Sequence, residues 1–278
     1  MLAYIATYPR SGNALVQRLV AACFWRLPGE VKIQPRAALP PKGLEGWELR
    51  RPSSGEPRPD IPGGLGEWLI ACRRAVEGEP ERWALRAAPR GLLTRDARRA
   101  LAAHEEVFLL KTHHPPFEDF LPGERAVQVL RHPGPSIRSY HRLLQAQAQK
   151  AGRADAPGLD EVIEGEVQFG SWSAYNRAWA EARARLGPRA LALRFEELVR
   201  DQDGAREALA AFLGLPVRAE ARIDFGAYAG KHAAAAVRGR DDGYEAAYTP
   251  AQLRRLWSLH GPVAESLGFS PPDLARAA

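Results

Sequence analysis

TYPRSGNAL, residues 7–15, follows the apolar run LAYIA at residues 2–6 and opens a segment whose apolar residues recur with helical spacing. It reads as a strand, a short glycine turn and a helix start. Free N–H groups at a helix N-terminus and the positive end of its macrodipole favour an anion held in such a turn. Arg10 adds a guanidinium, and Ser11 and Gly12 build the turn before the helix opens at Asn13 and Ala14. The turn is not a Walker A loop, which needs four residues between its glycines and then Lys followed by Ser or Thr. Nucleoside triphosphate hydrolysis is therefore not the first expectation, and a different phosphate donor is.

The composition narrows the class. With 278 residues and 45% apolar content the chain can bury a substantial core, and it is read as one domain over residues 1–278. Thirty-nine basic residues against thirty-three acidic ones give a net charge of +6. These charges are spread, as in RGLLTRDARRALAAH (residues 90–104), which reads as a solvated helix face. No helix-turn-helix, zinc or aromatic ribonucleoprotein signature accompanies them, so nucleic acid is not an expected partner. Cys23 and Cys72 form no CxxC pair, which points to neither a zinc site nor a disulfide framework and suits a reducing cytoplasm. No run approaches the ~18 apolar residues of a membrane span.

Strand and helix patterns alternate along the chain, predicting an α/β fold with a mainly parallel sheet flanked by helices and the phosphate-binding loop after the first strand. Strands are expected at residues 2–7, 107–111, 126–131 and 190–195. Helices are expected at 13–25, 65–76, 95–104, 135–147, 171–186, 204–213 and 250–267. Residues 27–63 are rich in Pro and Gly and read as a surface loop or lid. The polar stretch at 145–159 reads as a second loop.

Three further motifs carry chemistry. KTHHPP (residues 111–116) brings Lys111 and His113 out together at a strand end, a cation beside a titratable imidazole. Open α/β sheets bind ligands at such ends. VLRHPGPSIRSYHRLL (residues 129–144) puts Arg131 at another strand end and Ser139 on the following helix, a guanidinium and a hydroxyl suited to one oxyanion. VRGRDDGYEAAYT (residues 237–249) holds Arg238 and Gly239 in a short basic segment whose glycine lets backbone approach an anion. Taken singly, each also fits a surface loop, a cap or an ion pair.

Together these motifs resemble the cytosolic type of sulfotransferases that use 3′-phosphoadenosine 5′-phosphosulfate (PAPS). TYPRSGNAL resembles the family's TYPKSGTTW-like loop for the 5′-phosphosulfate, with Arg10 in place of lysine. Lys111 and His113 match its KTH motif, in which the histidine is the catalytic base and the lysine contacts the sulfuryl group. RHPGPSIRS matches the segment whose first Arg and last Ser hold the 3′-phosphate, here Arg131 and Ser139. FEEL at residues 195–198 is similar to the family's YEDL. Asp224 and Phe225 stand for its adenine-contacting pair, and Arg238 and Gly239 for its Lys-Gly.

The resemblance implies sulfuryl transfer from PAPS to the hydroxyl, or in second place the amine, of a small-molecule or glycan acceptor. PAP is then the nucleotide product, and no metal is implied. Its implied catalytic residues are His113, Lys111 and Arg10, and its nucleotide residues are Arg10, Ser11, Gly12, Asn13, Ala14, Arg131, Ser139, Phe225, Arg238 and Gly239. Leu15 stands where relatives carry tryptophan, Phe195 where many carry tyrosine and Val237 where they carry arginine. Trp172, Tyr175 and Trp179 share one helical face and belong either to an acceptor pocket or to the core. A phosphate-loop kinase and a nucleotide-binding relative with weak catalysis are the alternatives. Oligomeric state has no legible signature.

Overall fold

The computed structural model describes residues 1–23, 68–72, 82–85, 98–99, 102–103, 107–217 and 243–277. β1 (Leu2–Thr7) lies at the middle of a six-stranded sheet, with β4 (Val107–Thr112) on one side and β5 (Glu124–Leu130) on the other. The spatial order is β3-β2-β4-β1-β5-β6, where β2 is Trp68–Cys72, β3 is Arg82–Leu85 and β6 is Ala190–Arg194. β4, β1, β5 and β6 run parallel, as expected. β2 and β3 add an antiparallel edge.

Residues of β1 alternate between two cores, as strand geometry demands. Leu2, Tyr4 and Ala6 join the side chains of α2 (Pro133–Lys150), α4 (Trp172–Leu186) and α7 (Pro250–Ser266). Ala3 and Ile5 join those of α1 (Asn13–Cys23), α5 (Phe195–Arg200) and α6 (Gln202–Leu213). Both faces of the strand are buried, which is why it reads as an unbroken apolar run.

Several boundaries differ from the sequence reading. The segment at 65–76, expected as a helix, contains β2. WLIAC is a short, continuous apolar run, and periodicity alone does not separate such a run from a buried helix. The strand wins because its backbone pairs with β4 on one side and β3 on the other. α2 begins at Pro133, capped by His132, whose Nδ1 accepts from the Gly134 N–H at 3.1 Å. It continues to Lys150, so only the part after it is loop, and α3 (Leu159–Glu164) follows. Of the expected helix at 95–104, residues 98, 99, 102 and 103 are helical. The Pro/Gly stretch at 27–63 lies outside the described residues.

The bottom of the sheet is fastened by charge. Glu124, fully buried at the start of β5, accepts from Arg98 through both carboxylate oxygens at 2.7 and 2.6 Å and from the Tyr4 hydroxyl at 2.6 Å. The Leu121 N–H adds a fourth bond, and the Arg98 guanidinium lies 3.7 Å from the centre of the Phe117 ring. Every lone pair of this buried charge is engaged, the condition under which such a pair is tolerated.

Candidate active site

β1 ends at Thr7, and the chain turns at once: the Ser11 N–H donates to the Tyr8 carbonyl at 3.1 Å, and α1 starts at Asn13. Gly12 has φ +111°, and a Cβ there would stand 2.8 Å from Phe195 Cδ2. Conformation and space thus both require glycine. Arg10 has φ +68°, a left-handed backbone on a residue that carries a Cβ. Its Nε donates to Ser139 Oγ at 3.0 Å, and its carbonyl accepts from Arg131 Nη1 at 2.9 Å. Ser11 Oγ lies 3.2 Å from Ser136 Oγ. The structure therefore gathers Arg10, Ser11, Gly12, Asn13, Arg131 and Ser139, more than a hundred residues apart in sequence, at one corner of the sheet.

The parallel register between β1 and β4 pairs Ile5 with Lys111 and Ala6 with Thr112, which delivers His113 to the end of β1. His113 Nδ1 lies 2.6 Å from the Thr7 carbonyl oxygen and 3.2 Å from Thr7 Oγ1, which accepts from Asn13 Nδ2 at 3.1 Å. A carbonyl only accepts, so Nδ1 carries the proton and Nε2 keeps its lone pair. Burial, reinforced by the nearby Lys111 charge, pushes the imidazole down to about 3, against the pull of the Thr7 carbonyl. His113 is accordingly neutral near pH 7. His114 is held through its backbone: its N–H donates to Thr112 Oγ1 at 3.0 Å and its carbonyl accepts from Trp179 Nε1 at 2.9 Å. Burial lowers its pKa as well.

Trp172, Tyr175 and Trp179 are buried in the core and carry polar tethers. Trp172 Nε1 donates to the Arg131 carbonyl at 3.2 Å, Tyr175 Oη to the Thr112 carbonyl at 3.5 Å, and Trp179 Nε1 to the His114 carbonyl. One face of α4 thus fixes the backbone at the ends of β4 and β5. Sequence reasoning missed Phe169, whose ring meets those of His113 and His114 at centroid distances of 5.2 and 6.0 Å. Its loop is held by Tyr8, whose hydroxyl donates to the Gly170 carbonyl at 3.1 Å. A lone aromatic between glycines in a loop carries no periodic signal.

The remaining expected contacts, Phe225, Arg238 and Gly239, lie outside the described residues, as do Asp224 and Val237. The chain just beyond them docks on α2. Tyr244 covers Gly134, where a Cβ would come within 2.1 Å of the ring, and Tyr248 donates to the Gly134 carbonyl at 2.6 Å. Among the described residues no group of three or more His, Cys, Asp or Glu side chains could hold a metal ion, and no helix is long and apolar enough to cross a membrane.

The mainly parallel α/β sheet thus ends in a strand–loop–helix corner rich in hydrogen-bond donors. Residues 3–226 match the family model described as "Sulfotransferase domain", and the chain belongs to that family. Human sulfotransferase 2B1 is 36% identical over 76 residues, 26% of this chain and 20% of that protein. The rat protein of the same name is 38% identical over 63 residues, 23% of this chain and 18% of its own length. These matches span about a fifth of the relatives. Two solved structures of retinol dehydratase superpose with a TM-score of 0.51. One, in complex with androsterone and the inactive cofactor PAP, is 16% identical and is matched over 98% of this chain and 82% of that one. The other, in complex with retinol and PAP, is 15% identical, with coverage of 98% and 83%. At such identities the likeness establishes the fold.

Proposed function

We propose that this chain transfers the sulfuryl group of PAPS to an acceptor hydroxyl, with an amine in second place, on a small molecule or glycan. Family membership and the PAP named in the superposed structures support the nucleotide. The donor set at the corner fits it: Arg10, Ser11, Asn13, Arg131 and Ser139 offer guanidinium, hydroxyl and amide groups, and the first turn of α1 has N–H groups without intrahelical acceptors. None of these five side chains is a carboxylate. When bound, PAPS supplies the transferable sulfuryl group.

The chain's own residues then have separate tasks. Arg10, Ser11, Gly12, Asn13 and Ala14 cradle the 5′ end, while Arg131 and Ser139 hold the 3′-phosphate. Phe225, Arg238 and Gly239 complete the nucleotide contacts in this reading. His113 Nε2 takes the proton of the acceptor hydroxyl, and Lys111 and Arg10 neutralise negative charge on the oxygens around the transferred group. An arginine stays protonated, so Arg10 acts as a fixed charge and not as an acid.

The single observation that carries this reading is the bond from His113 Nδ1 to the Thr7 carbonyl, which leaves Nε2 unprotonated and able to accept the acceptor's proton. The test is turnover with labelled PAPS over a panel of phenols, alcohols, sugars and amines. His113→Ala is expected to lose ~100- to 10,000-fold with any accepted substrate, the usual range for a general base. Near-full turnover in His113→Ala would remove His113 from the role and make His114→Ala the next variant.

A further inference from the structure

The phosphate loop is held in a conformation its own residues do not favour. Arg10 is the one non-glycine residue with positive φ among the described residues, and a left-handed backbone is unfavourable for any residue with a Cβ. Such a conformation persists only where its surroundings over-determine it. Among the described residues the surroundings include two bonds on opposite sides of the residue. The Arg10 carbonyl accepts from Arg131 Nη1, and the Arg10 side chain donates to Ser139 Oγ.

Arg131 is itself immobilised. It is 4% exposed, its guanidinium carbon lies 4.1 Å from the centre of the Phe195 ring, and its own carbonyl receives the Trp172 indole N–H. Phe195 in turn presses on the loop from below, at the position where a Cβ on Gly12 would collide with it. A continuous stack therefore runs from α4 through Arg131 and Phe195 to the backbone of residues 10–12.

We propose that Arg131 is a positioning residue for the phosphate loop: it holds Arg10 in the left-handed conformation that directs the Arg10 guanidinium to Ser139. This rests on the nucleotide reading above and adds to it a dependence between two residues. A residue that only touches a phosphate contributes the same affinity whatever stands at position 10. A residue that touches the phosphate and also acts through Arg10 loses the second part of its contribution once Arg10 no longer needs to be held.

The experiment is a double-mutant cycle of the wild-type chain, Arg131→Met, Arg10→Gly and the double variant, read by PAP affinity in titration calorimetry and by melting temperature. Glycine adopts the left-handed backbone without assistance. Arg131→Met is expected to weaken PAP by about 10- to 100-fold when Arg10 is present, the range for a lost charge-assisted hydrogen bond. In the Arg10→Gly background the same change is expected to cost at least threefold less, leaving what the direct 3′-phosphate contact contributes, and its drop in melting temperature is expected to be at least halved. Equal losses in both backgrounds would overturn the proposal. So would an Arg131→Met protein that melts earlier yet binds PAP as the wild type does. Should that variant fail to fold, Arg131→Lys replaces it with the same two readouts, because it keeps the charge but lacks the planar group over Phe195. A wild-type chain that does not take up PAP would defeat the nucleotide reading, and the melting cycle would still decide whether Arg131 holds Arg10.

Discussion

At the scale of single residues, the site depends on where protons and Cβ atoms are allowed. The Thr7 carbonyl sets the proton of His113 on Nδ1, and burial together with the Lys111 charge keeps the ring neutral far below its ordinary range. The base form consequently survives acidification that would protonate a free histidine. The acid limb of kcat/KM, which reports the free enzyme, is expected well below pH 6.5. A limb at 6.5 would show that desolvation and the Lys111 charge do not lower the ring's pKa. Gly12 makes a second demand. Gly12→Ala forces a Cβ onto Phe195 in a backbone conformation that disfavours it, so a loss of about 1–3 kcal/mol is expected in chemical denaturation. The motif TYPRSGNAL shows the glycine plainly, but not that the crowding comes from Phe195, more than 180 positions away.

At the scale of elements, the sheet places the site by register and the helices hold it there. β4 beside β1 brings Lys111 and His113 to the end of Thr7, while α4 ties the backbone at both strand ends through Trp172, Tyr175 and Trp179. Trp179→Phe removes the bond to the His114 carbonyl and leaves a cavity where the indole's second ring stood. It is expected to cost about 2–4 kcal/mol of stability in urea titration, from the cavity and from a part-buried carbonyl left without that donor. At the opposite end of the sheet, Glu124→Gln leaves the Arg98 guanidinium buried with the exposed Asp119 carboxylate, 3.7 Å away, in place of its buried partner. A loss of roughly 3–5 kcal/mol is expected from urea titration, because breaking a buried pair is costlier than never having built one. A loss below 1 kcal/mol would mean that the pair is not buried in solution.

At the scale of the whole molecule, stability is tied to pH through a second histidine. His260 is 1% exposed, lies 3.1 Å from Ser173 Oγ through Nδ1 and 2.9 Å from the Ile163 carbonyl through Nε2, and is pushed by burial down to about 4. The unfolded chain takes up this proton near pH 6.5 and the folded chain does not until about pH 4. Folding stability is therefore unaffected above 6.5 and falls as pH drops from 6.5 to 4, by about 3 kcal/mol from this group. His260→Gln is expected to reduce the slope of that part of the pH–stability curve, leaving the contribution of His113, which burial lowers further, and an unchanged slope would exclude His260 as a source.

Much of the architecture was legible in advance because two of the parallel strands open on unbroken apolar runs and the motifs sit at strand ends. The β1 and β4 segments are of this kind, and Arg131 follows β5 directly. β2 was not legible, since WLIAC has no periodicity to separate strand from helix and only its pairing decides. The buried role of the α4 aromatics was equally hidden, because a helical stripe looks the same whether it faces a core or a ligand.

We propose that the corner built by residues 10–14, Arg131 and Ser139 receives PAPS. The most direct test is calorimetric titration of the full chain with PAP in the absence of magnesium, beside ATP with magnesium. Saturable PAP binding without magnesium is the predicted result. Binding of ATP that requires magnesium, with none of PAP, would contradict it.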